Sequence, residues 1–153
     1  MNQAQTLRTE LNVLQEFNPI LPEEYRKAEY LFLANIDPNI QIDVIKQMEN
    51  PELIVMDTMN LWIETQKQKV FDAIELCDIM LLNDAEAKQL FETHNTIHAG
   101  RTLIKMGLRA AIIKKGEHGA LLFTKDGIFA APAYPLDNLK DPTGAGDSFA
   151  GGF

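Results

Sequence analysis

The sequence predicts an α/β domain of three layers, with a mainly parallel sheet between helices and a short antiparallel hairpin at its end. Short apolar runs alternate with segments of helical periodicity along most of the chain. Strands that are apolar on both faces and joined by helices are typical of a parallel sheet that helices cover on both sides. The alternation ends after Gly116, where two apolar runs flank an Asp-Gly pair at 126–127, a strong hairpin signal.

Six short apolar runs predict the strands. The first four are separated by helical segments, and the last two are separated by the hairpin turn. The predicted strands are residues 30–34, 53–56, 79–82, 110–113, 120–123 and 128–131. Residues 11–14 form a further apolar run, which we interpret as a strand with no partner before it.

Helical periodicity fills the segments between the first four strands. Residues 37–49 predict one helix and residues 60–77 predict the next. Two shorter helices follow the third predicted strand, and the second of them ends at Gly107, a favoured residue just past a helix. The apolar positions that define the last three helices are Val70, Phe71, Ile74 and Cys77, then Ala87, Leu90 and Phe91, then Ala99, Leu103 and Met106.

Composition excludes several classes of protein. A chain of 153 residues with 46% apolar residues corresponds to one globular domain. A net charge of −8 argues against a nucleic-acid or anionic-membrane surface. A single cysteine, Cys77, excludes an internal disulfide framework and a cysteine-rich zinc module. Since the sequence shows neither a signal peptide nor an apolar run of about 20 residues, we expect a cytoplasmic protein.

The strongest chemical signal is the glycine-rich turn near residue 144. Gly144 and Gly146 allow a tight turn and a close approach of the backbone to a ligand. A helix that begins there would direct the N–H groups of Ala145, Gly146 and Asp147 at an anion. Asp147 beside such an anion hole could take a hydroxyl proton during phosphoryl transfer. The alternative is an ordinary helix start with an acidic residue that complements the dipole.

Three further turns follow predicted strands at the same edge of the sheet, where ligands of open α/β sheets bind. Asn83 and Glu86 are spaced either to organise Mg²⁺ through water or to form a capping box. The turn at 114–119 carries two lysines and two glycines that could neutralise a polyphosphate, or it is a solvated turn. Residues 57–60 read most simply as a turn with Asn60 as the N-cap, and receive no functional role.

Other motifs in the sequence give weaker evidence for a function. The chain has no Walker A sequence, and Phe149 stands where a dinucleotide fingerprint needs glycine, so an oxidoreductase is disfavoured. His94 and His98 have a helix-compatible metal spacing, but no third ligand is evident and we expect a surface role. Trp62 is interpreted as a packing residue.

The sequence resembles the PfkB, or ribokinase-like, family of carbohydrate and nucleoside kinases. The resemblance rests on the segment Asp-Pro-Thr-Gly-Ala-Gly-Asp at 141–147, which matches the family's C-terminal signature. Asn83-x-x-Glu86 and the segment 112–120 stand in the family's order and approximate spacing. Lys114 and Lys115 replace the threonine and apolar residue of many members, so the phosphate contacts there are expected to differ.

The resemblance implies a role for each of these residues. Asp147 would be the catalytic base for a substrate hydroxymethyl group, and the backbone of Gly144, Ala145, Gly146 and Asp147 would be the anion hole. Glu86 would hold Mg²⁺ through water. Asp141 and Thr143 would belong to a loop that binds a monovalent cation such as K⁺. The residues implied in binding ATP and its phosphates are Asn83, Lys114, Lys115, Gly116, Glu117, His118 and Gly119.

The resemblance also implies that the chain is part of a larger kinase. We expect residues 1–153 to form a single partial domain, the central and catalytic part of a ribokinase-like core. The parent protein would phosphorylate a sugar or nucleoside with ATP and would have the homodimeric association common in the family. The alternative is a catalytically silent fragment, or a nucleotide-binding module of the same fold.

Overall fold

The computed structural model describes residue 10 and residues 12–153 and contains one sheet of six strands in the order β1-β2-β3-β4-β5-β6. The first four strands are parallel, and β5 and β6 are added in antiparallel fashion. This arrangement confirms the predicted α/β class, the mainly parallel sheet and the hairpin. The strands are β1 (Tyr30–Leu33), β2 (Leu53–Asp57), β3 (Ile79–Asn83), β4 (Ala110–Lys114), β5 (Ala120–Thr124) and β6 (Gly127–Ala131).

Helices connect the parallel strands and flank the sheet. They are α1 (Glu23–Arg26), α2 (Pro38–Gln47), α3 (Asn60–Thr65), α4 (Lys67–Ile74), α5 (Asp84–Leu90), α6 (Thr96–Lys105) and α7 (Ala145–Gly152). Among the described residues, no helix is long and apolar enough to cross a membrane. Trp62 is buried in α3, as expected for a packing residue, and its indole N–H donates to Asn35 Oδ1 (2.9 Å).

Helices α2 to α6 all pack on one face of the sheet. Each parallel crossover moves the chain by one strand in the same direction, and right-handed crossovers of that kind place every connecting helix on the same side. The core on this face contains fully buried residues from the strands and helices, among them Met80, Leu82, Ile74 and Leu103. Gly100 of α6 lies so close to Phe123 of β5 that a Cβ atom would overlap the ring.

The opposite face of the sheet is covered less than the sequence predicts. Within the described part of the chain, α7 is the helix that packs there, and it contributes one buried residue, Ala150. Tyr30 and Phe32 at the β1 edge and Phe129 on β6 are 65%, 45% and 64% exposed. The strands are therefore apolar on both faces, but the second helical layer consists of a single short helix.

The predicted helix 60–77 is two helices, and that expectation was wrong. Gln66 separates α3 from α4 with φ −141° and ψ 39°. Its side-chain amide donates to Asp37 Oδ2 (2.9 Å) and accepts from Asn39 Nδ2 (2.7 Å). These contacts join the break to the start of α2, and a local periodicity cannot reveal them.

Two other local expectations were wrong. Residues 12–14 of the predicted strand 11–14 lie in a 3₁₀ helix, Asn12–Glu16, and Leu11 is outside the described residues. Val13 and Leu14 of this run are exposed, and no strand in the described part of the chain pairs with them. Asn60 is the first helical residue of α3 rather than its N-cap, which is Met59 and makes no side-chain capping bond.

Candidate active site

The carboxyl ends of β2, β3 and β4 lie side by side, and each ends in a polar residue. Asp57 ends β2, Asn83 ends β3 and Lys114 ends β4. A cleft of about 1370 Å³ lies at this edge. The start of α7 also contributes to this cleft, which Gly146 and Asp147 line. The fold therefore brings the turn after each of these strands to one place, as the sequence predicts.

The start of α7 leaves two backbone amides without acceptors in the described part of the chain. Gly144 is the N-cap, with φ +75°, a left-handed conformation that favours glycine. The N–H of Ala145 donates to the carbonyl of Pro142 (3.1 Å), and the N–H of Ser148 donates to the carbonyl of Gly144 (2.8 Å). The N–H groups of Gly146 and Asp147 have no acceptor among the described residues. The side chain of Asp147 is exposed in the same cleft.

Asn83 and Glu86 form the capping box that the sequence allowed as one alternative. Asn83 Oδ1 accepts from the N–H of Glu86 (2.8 Å), and Glu86 Oε2 accepts from the N–H of Asn83 (2.7 Å). Glu86 is 7% exposed. Its burial raises the pKa of the carboxyl to about 7, although the Asn83 N–H and the Lys114 charge oppose this shift. Both residues line the cleft, so the capping role and a position at the site coexist.

Lys114 forms a buried ion pair with Asp57 across β3. Its Nζ donates to Asp57 Oδ2 at 2.9 Å, and the two side chains are 15% and 7% exposed. The pairing register explains this contact, because Asp57 is beside Leu81 and Lys114 is beside Asn83, two residues further along the same face. The sequence predicted only a turn at residues 57–60, and no role for Asp57. The available signal was a carboxylate and an ammonium that end two strands of one parallel sheet.

The other residues of the turn 114–119 differ in whether they line the cleft. Gly116 and Gly119 line the cleft, whereas Lys115, Glu117 and His118 do not. A 3₁₀ helix, Gly116–His118, closes this turn, and the N–H of Lys115 donates to the carbonyl of Gly119 (2.7 Å). Three of the six residues of the turn 114–119, which the resemblance places along ATP, therefore lie outside the cleft lining.

Asp141 and Thr143 form a turn of their own outside the cleft lining. The N–H of Thr143 donates to Asp141 Oδ1 (2.9 Å), and hydrogen bonds from the Thr143 backbone and side chain hold the pKa of the Asp141 carboxyl below its usual value. Both residues are exposed.

His94 and His98 are exposed, as expected for surface residues. In the described ranges, no group of three or more His, Cys, Asp or Glu side chains is arranged to hold a metal ion.

Comparisons with known proteins agree with this fold. The chain is 30% identical over 150 residues to a cytidine kinase of Thermococcus kodakarensis, covering 94% of this chain and 53% of the relative. The crystal structure of aminoimidazole riboside kinase from Salmonella enterica is 25% identical with a TM-score of 0.65, and the match covers 80% of this chain and 45% of that one. A nucleoside kinase structure from Methanocaldococcus jannaschii is 22% identical with a TM-score of 0.68, a likeness of fold over 93% of this chain and 48% of the other.

These matches cover most of this chain but only part of each relative. The chain spans about half the length of these relatives. The sequence model of the pfkB family of carbohydrate kinases matches residues 12–153, which is nearly the whole chain. This match confirms the resemblance drawn from the residues 141–147. The chain belongs to the pfkB family of carbohydrate kinases.

Proposed function

We propose that this chain supplies the phosphoryl-transfer site of an ATP-dependent kinase that phosphorylates a hydroxymethyl group of a sugar or nucleoside. One observation carries the proposal: the unpartnered amides of Gly146 and Asp147, the Asp147 carboxylate and the Lys114 ammonium are all at one cleft. Family membership supports the same reaction class. The names of relatives, such as cytidine kinase and deoxyribokinase, support a small alcohol as the acceptor.

The backbone of residues 144–147 acts as the anion hole. The amides of Gly146 and Asp147 lie in the first turn of α7, where the helix dipole also favours negative charge. Donors fixed in this way stabilise the charge that develops on the phosphoryl group without having to reorganise. Gly144 contributes the left-handed conformation of the turn, and Ala145 anchors the turn to Pro142.

Asp147 acts as the general base. A hydroxyl oxygen of the acceptor attacks the γ-phosphorus in line, the new O–P bond forms, and the bond from phosphorus to the ADP oxygen breaks. The proton of that hydroxyl passes to the Asp147 carboxylate. The exposed position of Asp147 in the cleft leaves its oxygens free to approach such a hydroxyl.

The donor set at α5 fits Mg²⁺ held through water. Glu86 Oε2 accepts from the Asn83 N–H, and Oε1 accepts no hydrogen bond from the described residues. Mg²⁺ prefers oxygen ligands and keeps several waters, so a single carboxylate at the cleft edge suffices. The metal would neutralise charge on the nucleotide phosphates. Asn83, Lys114 and the turn 115–119 would contact ATP, and Asp141 with Thr143 would hold a monovalent cation such as K⁺.

The experiment that tests the proposal measures ADP release from ATP with a panel of sugars and nucleosides, in the presence of Mg²⁺ and K⁺. It uses both the 153-residue chain and the complete reading frame that encodes it. We expect turnover with one substrate and a loss of roughly 10³-fold or more for Asp147→Asn, because removal of the base leaves only positioning and charge stabilisation. Asp43→Asn, at an exposed carboxylate on α2, is the matched control and should keep full activity.

Two outcomes would contradict the proposal. Turnover that survives Asp147→Asn would remove Asp147 from the chemistry. A folded protein that binds ATP but releases no ADP with any acceptor would favour the alternative of a silent nucleotide-binding module.

The protein is also proposed to be cytoplasmic and, in its parent form, homodimeric, without nucleic-acid or membrane partners.

A further inference from the structure

We propose that Asp57 is a positioning residue of the phosphoryl-transfer site. Its carboxylate keeps the Lys114 ammonium at the N-terminus of α7, so that this ammonium and the amides of Gly146 and Asp147 form one anion-binding set. The inference rests on the proposed function. It adds a residue to which neither the sequence nor the family resemblance gave a role.

The position of Lys114 next to α7 is the first observation. A Cβ atom built on Gly146 would lie 3.6 Å from Lys114 Nζ, so the ammonium is in contact range of the helix start. The backbone amide of Gly146 has no acceptor within residues 12–153. An anion bound to that amide would therefore lie within reach of the Lys114 ammonium.

The second observation is that the hydrogen-bonding capacity of Lys114 is only partly used. An ammonium group has three N–H donors. In the part of the chain that the structure describes, Lys114 Nζ has one acceptor, Asp57 Oδ2. The other two donors are free to bind a phosphoryl oxygen while the ion pair with Asp57 stays intact.

The third observation is that Asp57 is itself held rigidly. Its Oδ1 accepts from the N–H of Thr58 (2.8 Å), which leaves Oδ2 for Lys114. Its backbone carbonyl accepts from the side-chain amide of Gln41 (2.9 Å), a fully buried residue of α2. A lysine side chain has a flexible four-carbon stem and loses much conformational freedom when it is fixed. Asp57 holds the Lys114 side chain in place before a ligand binds.

Two possible roles of Asp57 predict opposite effects on anion binding. If Asp57 only lowers the positive potential of the site, its neutralisation should strengthen the binding of a polyphosphate. If Asp57 positions Lys114, neutralisation should weaken binding, although a negative charge has been removed. The sign of the change therefore separates the two roles.

The experiment compares the affinity for ATP and for tripolyphosphate of the wild-type chain, Asp57→Asn and the control Asp43→Asn by calorimetry. Asp43→Asn removes the same charge at an exposed position on α2. We expect Asp57→Asn to weaken binding by about tenfold or more, since loss of one partner of a buried ion pair releases the other. Asp43→Asn should leave the affinity unchanged within about twofold.

A second pair of variants tests whether Asp57 acts through Lys114. Lys114→Met leaves an unpaired carboxylate at a buried position and is expected to be unstable, whereas the double variant Asp57→Asn/Lys114→Met removes both charges and should fold. At a temperature at which Lys114→Met is still folded, the affinity of the double variant should match that of Lys114→Met within about twofold, because no ammonium remains to be positioned. Thermal melts of all variants separate a loss of folding from a loss of binding.

A third measurement needs no ligand. Acylation of lysines by a water-soluble ester, followed by mass spectrometry, reports how accessible each amine is. We expect Lys114 to react several-fold faster in Asp57→Asn than in the wild type, with Lys88 and Lys125 unchanged.

The outcomes distinguish this inference from the proposed function. Unchanged or tighter binding by Asp57→Asn, with wild-type binding intact, would overturn the positioning role and leave the proposed function standing. Equal acylation of Lys114 in both proteins would overturn it as well. If the wild-type chain binds neither ATP nor tripolyphosphate, the proposed nucleotide site fails and this inference fails with it.

Discussion

At the scale of single residues, burial at the cleft changes the chemistry of one carboxyl group. Glu86 is 7% exposed, and its pKa is raised to about 7 mainly because burial disfavours the charged form. Its neighbours partly offset each other, since Lys114 lowers the pKa while Asp57 and Asp84 raise it. The capping box therefore contains an acid that changes its charge near neutral pH.

This shift predicts a pH dependence of the stability of the metal-free chain. Between the ordinary glutamate value of 4.5 and about 7, the folded chain binds one proton more than the unfolded chain, so stability falls as pH rises through this window and is level above it. A shift of this size corresponds to a loss on the order of 3 kcal/mol. Glu86→Gln keeps an acceptor for the Asn83 N–H and should remove the decline.

The measurement is urea unfolding at several pH values between 4.5 and 8, with a chelator present. Glu64→Gln, an exposed glutamate on α3, is the control and should keep the wild-type profile. A Glu86→Gln protein whose stability still declines over this window would show that another group is responsible.

At the scale of elements, the turn from β4 to β5 depends more strongly on Gly119 than on Gly116, the other glycine in the turn. Gly119 has φ +88° and ψ −139°, a conformation essentially restricted to glycine. A Cβ atom there would overlap the backbone carbonyl of Ala131, because the chain after β6 crosses directly over the turn. Gly116 has φ +56° with open space around it.

These two glycines form a matched pair for substitution by alanine. Gly119→Ala should cost about 3 kcal/mol or more, or prevent folding, since it combines backbone strain with a steric clash. Gly116→Ala should cost about 1 kcal/mol, which is the price of a left-handed alanine alone. Soluble yield and urea unfolding measure both. Similar losses for the two variants would contradict the close approach of Ala131 to Gly119.

At the scale of the whole molecule, the two faces of the sheet contribute unequally to stability. The face covered by α2 to α6 contains nearly all of the fully buried side chains, including Leu82. The opposite face carries exposed aromatic residues, such as Phe32, at the β1 edge. Substitutions on the first face should therefore cost stability, and those on the second face should mainly change surface properties.

Leu82→Ala and Phe32→Thr test this difference. Leu82→Ala creates a cavity under the helices and should cost about 3 kcal/mol. Phe32→Thr should change stability by less than about 1 kcal/mol, because the side chain is 45% exposed, and it should lower the binding of an apolar dye to the chain. Thermal unfolding and dye fluorescence provide the two readouts. A large loss for Phe32→Thr would mean that this face is packed more tightly than its exposure indicates.

The amino-acid sequence is enough to predict the strands, their alternation with helices, the hairpin and the glycine turn at 144–147. These features depend on local patterns, since apolar runs, an Asp-Gly turn and closely spaced glycines act over a few residues. It also placed Asn83, Glu86, Lys114 and Asp147 at one edge of the sheet, because the carboxyl ends of parallel strands share an edge.

Tertiary structure alone decided the features that depend on residues far apart in the chain. The helix break at Gln66 depends on Asp37, 29 residues away. Helices α2 to α6 cover one face because successive crossovers run in one direction across the sheet, which strand patterns do not specify. The pairing of Asp57 with Lys114 joins residues 57 apart and depends on the register of three strands. Contacts of this kind arise from packing in three dimensions, so no local pattern in the sequence encodes them.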